Sequence, residues 1–165
     1  MVSPRYAKLL AAGLIVAAGW AAYSGSFTGP FVFDDPSSIT ANPTIHRLWP
    51  LWDVLETPRA NVTVQGRPVL NLSFALNYAF GGSAVHGYHV VNLWIHLAAG
   101  LTLFGLVRRT LARTAVDGAS EIRATVLAFA VAGLWTVHPL QTESVTYVVQ
   151  RAESLMGLFY LLTFY

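Results

Sequence analysis

Two long stretches without a charged residue constrain this sequence more than any other feature. They cover residues 9–33 and residues 68–107. A helix rises about 1.5 Å per residue, so roughly 20 apolar residues cross the hydrocarbon core of a bilayer. Only 11% of the chain is charged and its mean hydropathy is +0.52, which leaves too little polar surface for a soluble domain. The sequence therefore predicts an integral membrane protein.

The first stretch predicts a membrane helix at about residues 7–24. Arg5 and Lys8 lie at its start, and basic residues mark the cytoplasmic side of membrane helices, so we expect a cytoplasmic N-terminus. A cleaved secretory signal is the alternative, because a short basic region, an apolar stretch and small residues near 22–26 would suit one as well. The apolar run continues past that point and further apolar helices follow, which favours a retained span.

The second stretch is too long for one crossing, and Gly81-Gly82-Ser83 is a natural place to divide it. We expect an amphipathic helix at residues 68–80, lying at the membrane interface within an extracytoplasmic loop of residues 25–86. A second span follows at about residues 87–107. The connection after it is basic and should lie in the cytoplasm, in agreement with the first helix. Its arginines are Arg108, Arg109, Arg113 and Arg123.

Two more apolar segments complete the pattern. A third span is expected at about residues 124–138, where Pro139 removes a backbone donor and breaks or kinks the helix. A fourth helix begins at about residue 153 and is still apolar at Tyr165. We therefore expect residues 1–165 to be a single N-terminal region of a longer protein, inactive by itself. The predicted fold class is all-α, a polytopic transmembrane helix bundle with one interfacial helix.

Charged side chains near a membrane boundary are rare in this chain and therefore informative. Asp34 and Asp35 follow the first helix on the extracytoplasmic side, after an apolar approach. Adjacent carboxylates in a partly desolvated site repel each other, so one of them could have a raised pKa and accept a proton. Asp and Pro also favour turns, and on spacing alone a simple loop start is the favoured interpretation.

A second polar cluster lies between the third and fourth helices, on the same expected side of the membrane. Its density of polar groups predicts a pocket shared with the first loop. Arg151 is the candidate for a phosphate because it is a planar, permanently charged donor, although it could instead snorkel or pair with Glu153. The histidine, glutamine, glutamate and arginine residues of the cluster are His138, Gln141, Glu143, Gln150, Arg151 and Glu153.

Three polar residues share one face of the second span. His89, Asn92 and His96 follow one another at helical spacings of three and four. We expect them to point into the bundle and to form interhelical hydrogen bonds. Metal binding by this face is less favoured, because no carboxylate shares it. The two adjacent Asp residues of the first loop, with a distant Glu, are also a weak set of metal ligands. No metal is therefore expected in the site.

Several sequence blocks, taken together and in order, resemble a known family. They resemble the N-terminal membrane region of the transmembrane and tetratricopeptide-repeat-containing O-mannosyltransferases and their bacterial relatives. The resemblance covers nearly the whole chain and is most specific at Asp34-Asp35 and in the block from His138 to Glu153. The blocks are residues 29–35, 67–70, 77–78, 87–93, 138–145 and 150–153.

The resemblance implies an N-terminal piece of a C-type glycosyltransferase fold, a multi-helix enzyme that takes sugars from polyprenyl-phosphate carriers on the extracytoplasmic face. It implies that Asp34 or Asp35 activates an acceptor hydroxyl, which reverses the loop interpretation. The implied reaction is inverting transfer of a hexose such as mannose to a hydroxyl of a protein or cell-envelope acceptor. The residues implied to bind substrate are His138, Glu143, Arg151 and Glu153.

The same resemblance sets the expected partners. They are membrane lipid, a polyprenyl-phosphate sugar as substrate and a protein or envelope acceptor, with no separate cofactor and no nucleic acid. The expected location is the bacterial inner membrane, or the endoplasmic reticulum membrane in a eukaryote. No tetratricopeptide repeat occurs within these residues. A non-catalytic anchor or scaffold for downstream repeats is the alternative, and a transporter would need inverted repeats that nothing here resembles.

Overall fold

The computed structural model of this chain is built from helices. It describes residues 3–59, 62–113 and 117–165, with only the backbone described at residues 118 and 119, and within these ranges it contains no strand. The predicted all-α fold class is confirmed. The α-helices in the described ranges are α1 (Pro4–Tyr23), α2 (Asp35–Ser38), α3 (Leu51–Leu55), α4 (Pro68–Gly81), α5 (Val85–Ala112), α6 (Gly118–Thr136), α7 (Thr142–Thr146) and α8 (Arg151–Phe164).

Two helical segments among the described residues are long and apolar enough to cross a membrane. They are Pro4–Thr28, which is α1 with the 3₁₀ turn that follows it, and α5. A third span results if Ser120–Thr136 of α6 and the helical turns at Pro139–Thr146 are counted as one segment. These two parts are bent from each other by 52°. The bend lies at Pro139, which lacks the backbone N–H needed to continue the helix. The membrane helix bundle expected from the sequence is thus present.

Helix α5 is the centre of the bundle and packs against α1, α6 and α8. Helices α1 and α6 begin at the same end, where Lys8 and Glu121 lie 3.8 Å apart. Helix α8 runs parallel to α5, because Arg151 at its start donates to Asn92 while Tyr165 after its end accepts from Arg109. One end of the bundle therefore carries the basic connection, and the other carries the loops that contain the predicted site residues.

The polar face predicted on the second span does pack inside the bundle. His89, Asn92 and His96 are all buried. The Nε2 atom of His96 lies 2.8 Å from the carbonyl oxygen of Thr136, which also accepts the hydroxyl of Tyr23 at 3.1 Å. Thr136 is the last residue of α6, where carbonyl groups lack helical partners, so α1 and α5 satisfy a group that the helix end leaves free.

Close contact at Thr136 requires a glycine in α5. A Cβ atom built on Gly100 would collide with the Thr136 hydroxyl oxygen, whereas one on Gly157 in α8 would meet nothing within 4 Å. We expect Gly100→Ala to lower the free energy of unfolding by about 1–3 kcal/mol through overpacking. The matched change Gly157→Ala should be neutral or stabilising by up to about 1 kcal/mol. Thermal unfolding of the purified protein in detergent measures both, and equal effects would contradict this packing account.

Helix α4 has two dissimilar faces. Leu70, Phe74 and Asn77 are buried against the bundle, while Val69 and Phe80 are exposed on the opposite face. An outward face that is apolar fits a helix lying against lipid, as the interfacial helix predicted at residues 68–80 would. The expected placement of α4 at the membrane interface stays a prediction.

A compact cap precedes α4 and is held by side-chain amides. Asn71 is fully buried, and its Nδ2 atom donates to the carbonyl oxygen of Val54 at 2.6 Å and to the hydroxyl of Thr44 at 2.8 Å. Its Oδ1 atom accepts from Asn42 at 2.9 Å. These bonds join the short helices of the loop to α4. Asn42 also donates to the carbonyl oxygen of Ser38 at 3.0 Å, so the network reaches the end of α2.

Candidate functional site

The two adjacent carboxylates of the first loop lie in different environments. Asp35 begins α2 and is only 1% exposed. Its Oδ2 atom accepts from the backbone N–H of Val32 at 3.0 Å, and its Oδ1 atom accepts from that of Val149 at 2.8 Å. Asp35 therefore joins the first loop to the turn before α8. Burial raises the pKa of Asp35, while the two backbone N–H groups act in the opposite direction.

Asp34 is exposed. Its Oδ2 atom accepts from the hydroxyl of Thr63 at 3.2 Å, and its backbone N–H donates to the phenol oxygen of Tyr147 at 3.0 Å. No partner for its Oδ1 atom is found in the part of the chain that the structure describes. Of the two carboxylates, Asp34 is thus the one with an oxygen that has no partner among the described residues.

Tyr147 connects the two polar clusters that were predicted from the sequence. It follows α7, and its phenol oxygen accepts from the Asp34 backbone N–H. The phenol also interacts electrostatically with the carboxylates of Asp34, Asp35 and Glu143. Burial is the main cause of a raised pKa for the Tyr147 phenol, and these charges add to it. The phenol is therefore protonated at neutral pH.

The remaining residues of the second cluster lie at the surface. His138, Glu143 and Glu153 are exposed, and the Nδ1 atom of His138 accepts from the backbone N–H of Leu140 at 3.2 Å. Glu143 and Glu153 line an open depression of about 270 Å³ together with Leu140, Ser144 and Gln150. His138 does not line this depression. The structure thus brings the two glutamates together but leaves the histidine as the cap of the turn at Pro139.

Arg151 lies inside the bundle. It is fully buried, and its Nε atom donates to Oδ1 of Asn92 at 2.6 Å. Its Nη2 atom donates to Oδ1 of Asn77 at 2.8 Å and to the carbonyl of Tyr88 at 3.1 Å, and Nη1 donates to the carbonyl of Ser73 at 3.1 Å. All three guanidinium nitrogens are thus engaged by neutral protein oxygens, and Arg151 ties α8 to α4 and α5. Binding of a phosphate by Arg151 stays a prediction, without support from this geometry.

An apolar groove runs between the start of α4 and α8. It has a volume of about 310 Å³. Glu153 lines both this groove and the depression beside Glu143, so the two concavities are neighbours. Arg67 lies at the α4 side of the groove and is exposed. The remaining lining residues are Pro68, Val69, Leu70, Ala152, Leu155, Met156 and Phe159.

This chain is similar to several curated proteins. Protein O-mannosyl-transferase F38B6.6 of Caenorhabditis elegans is 33% identical over 83% of this chain and 20% of its own length. Protein O-mannosyl-transferase Tmtc1 of Drosophila melanogaster is 36% identical over 86% of this chain and 16% of its own length. Protein O-mannosyl-transferase TMTC4 of Homo sapiens is 32% identical over 99% of this chain. The chain is related to the TMTC protein O-mannosyl-transferases.

This relationship confirms the family resemblance found in the sequence. No family model and no solved structure matches the chain. The chain spans about a fifth of the length of the curated relatives, with 20% of the nematode protein and 23% of the human protein covered. The activity of these relatives as whole proteins is therefore only a proposal for this chain.

Several residues with a clear place in the site were not found by sequence reasoning. Tyr147 and Thr63 hold Asp34 from two sides, and Asn77 and Ser73 surround Arg151. Tyr, Thr, Ser and Asn are common in loops and helices, so no pattern singled them out. Asn77 lies in the block at residues 77–78 that carries the family resemblance, but no role follows for it from the sequence. Within the described residues, no group of three or more His, Asp or Glu side chains could hold a metal ion.

Proposed function

We propose that this chain is the N-terminal membrane region of a glycosyltransferase. The enzyme transfers a hexose, with mannose as the proposed sugar, to a hydroxyl group of a protein. The observation that carries the proposal is the exposed carboxylate of Asp34, which accepts from Thr63 while the Asp34 backbone N–H donates to Tyr147, at the end of the bundle that also has the apolar groove. The curated relatives, which are named protein O-mannosyl-transferases, support the class of reaction.

Asp34 is the general base of the proposed reaction. The acceptor hydroxyl gives its proton to the free Oδ1 atom of Asp34 as its oxygen bonds to C1 of the sugar. The bond from C1 to the phosphate oxygen breaks, and its electron pair leaves with the phosphate. Attack opposite to the leaving group inverts the configuration at C1. Asp35 does not take this role, because its two carboxylate oxygens are engaged by backbone N–H groups.

The donor is proposed to be a polyprenyl-phosphate sugar. The groove between α4 and α8 is apolar enough for an isoprenoid chain, and it opens next to the acidic depression. Arg67 is the exposed cation at this groove and is the better candidate for the donor phosphate, since Arg151 has all its guanidinium nitrogens occupied within the protein. Glu143 and Glu153 line the depression in which the sugar hydroxyl groups would lie.

The proposed orientation follows from the charges at the two ends of the bundle. Arg108, Arg109, Arg113 and Arg123 lie near the end opposite to Asp34 and would face the cytoplasm. The site then faces the lumen of the endoplasmic reticulum in a eukaryote, or the periplasm in a bacterium. The relatives are several times longer than this chain, so we propose that further segments complete the donor site.

The proposal is tested by a transfer assay. The complete product of the reading frame that encodes this chain is purified, placed in liposomes, and offered a peptide rich in serine and threonine. Polyprenyl-phosphate mannose, polyprenyl-phosphate glucose and GDP-mannose are supplied in parallel as labelled donors. We expect label in the peptide from polyprenyl-phosphate mannose and none from GDP-mannose. If GDP-mannose is the only donor that labels the peptide, the proposal of a lipid-linked donor is contradicted. If no donor labels the peptide, the proposed transferase activity is contradicted.

A non-catalytic membrane anchor or scaffold is the second candidate. The observation that favours it is the use of Asp35 and Arg151 as internal links, since both were expected in the site from the sequence. A scaffold does not need Asp34, because this side chain is exposed and makes only one bond among the described residues. Full function of an Asp34→Asn protein in cells would therefore favour the scaffold.

A further inference from the structure

Phe33 lies beside the proposed base in an unusual conformation. Its φ angle is +48°, and it is the only residue other than glycine with a positive φ among those described. Its side chain is 88% exposed, so burial in this chain does not compensate for the backbone strain. Strain of this kind is found mainly where a binding or catalytic geometry requires it.

Tyr147 stands next to Phe33. The two rings are 5.9 Å apart and meet edge to face at 76°. The phenol oxygen of Tyr147 accepts the backbone N–H of Asp34, and the described residues contain no acceptor for its own proton. The phenol stays protonated at neutral pH because burial and nearby carboxylates raise its pKa. A hydrogen-bond donor without a partner among the described residues and an exposed aromatic ring therefore lie next to Asp34.

We propose that Phe33 and Tyr147 form the acceptor subsite, which binds an extended peptide segment around the reacting serine or threonine. The inference rests on the proposed function and adds the residues that select its acceptor. The Tyr147 hydroxyl donates to a backbone carbonyl oxygen of the peptide, and the Phe33 ring packs against the peptide next to the reacting residue. The acceptor hydroxyl then lies at the free oxygen of Asp34.

The charges around this subsite define the class of peptide. The charged groups that act on the Tyr147 phenol are the carboxylates of Asp34, Asp35 and Glu143. Peptides with lysine or arginine beside the acceptor residue are therefore favoured over those with aspartate or glutamate. In the transfer step the proton of the acceptor goes to Asp34, and the phenol proton of Tyr147 stays in place.

Two variants test the subsite. Tyr147→Phe removes the donor and keeps the ring, but it also removes the acceptor of the Asp34 backbone N–H, so thermal unfolding and kcat of this variant are measured beside its KM values. Phe33→Gly removes the ring and relieves the strained φ, so the protein should be at least as stable as the wild type. For each variant we expect the KM for the acceptor peptide to rise about tenfold, because one favourable contact with the peptide is lost. The KM for the donor should change by less than about twofold, within the scatter expected for an untouched contact. Tyr160→Phe, at an exposed tyrosine of α8, is the control.

An unchanged acceptor KM in both variants, or a matching rise in donor KM, would overturn the inference. If the wild type transfers no sugar, the proposed function fails. Whether Phe33 and Tyr147 bind a peptide is then tested separately by measuring peptide binding. For that purpose a photoreactive p-benzoylphenylalanine at position 33 is irradiated with a biotinylated basic peptide that contains serine. Capture that falls in the Tyr147→Phe background supports the subsite, and absence of capture contradicts it.

Discussion

Replacing Asp34 with asparagine should lower the rate of sugar transfer by about 10²–10⁴-fold, the usual contribution of a general base. The amide keeps an oxygen for the hydroxyl of Thr63, and the residue is exposed, so the fold should remain intact. Asparagine cannot accept a proton at this position. The measurement is kcat in the liposome assay, together with thermal unfolding of the same preparation.

Asp35→Asn is the matched control, because it makes the same change at the neighbouring residue. Asparagine has one oxygen where Asp35 uses two to accept from Val32 and Val149. We expect a loss of about 1–3 kcal/mol in the free energy of unfolding, since a buried N–H group is left without its acceptor. If Asp34→Asn destabilised the protein and Asp35→Asn did not, the assignment of the two carboxylates would be reversed.

Replacing Arg151 with methionine should lower the free energy of unfolding by about 3–5 kcal/mol. The change leaves the buried amide oxygens of Asn77 and Asn92 without their donors, and it removes the guanidinium that lies 4.5 Å from the ring centre of Phe74. Thermal unfolding in detergent measures the loss. Arg113→Met, at an exposed arginine, should change the stability by less than about 0.5 kcal/mol.

Arg151→Lys separates a structural role from phosphate binding. Lysine keeps the charge but lacks the planar fork that reaches Asn92 and Asn77 together. We expect an unstable protein for this variant too. A stable Arg151→Met protein with a raised KM for the lipid-linked donor would contradict the structural role and would support the phosphate role predicted from the sequence.

The membrane helices could be predicted because their signal is local. Runs without charge, the break at Pro139 and the helical spacing of His89, Asn92 and His96 all depend on neighbours in sequence. Helix ends could be predicted less closely than the helices themselves. Helix α5 continues to Ala112 beyond the predicted end at about residue 107, because arginine is a good helix former and can continue a helix out of the membrane.

The roles of the polar residues depend on distant contacts and could not be predicted in the same way. Asp34 and Asp35 are neighbours in sequence, yet a bond to Val149, 114 residues away, makes only one of them internal. Arg151 follows a turn at the start of a helix, a position that is usually exposed. Its acceptors come from α4 and α5, and Asn77 lies 74 residues away. No spacing rule connects these positions.

The most direct test of the proposed function compares the wild type with the double variant Asp34→Asn, Asp35→Asn. Both are prepared as the complete product of the reading frame, with folding checked by thermal unfolding. The measured quantity is the transfer of labelled mannose from polyprenyl-phosphate mannose to a serine-containing peptide in liposomes. The proposal predicts transfer by the wild type and background label with the folded double variant. Undiminished turnover in the double variant would contradict the assignment of catalysis to this loop.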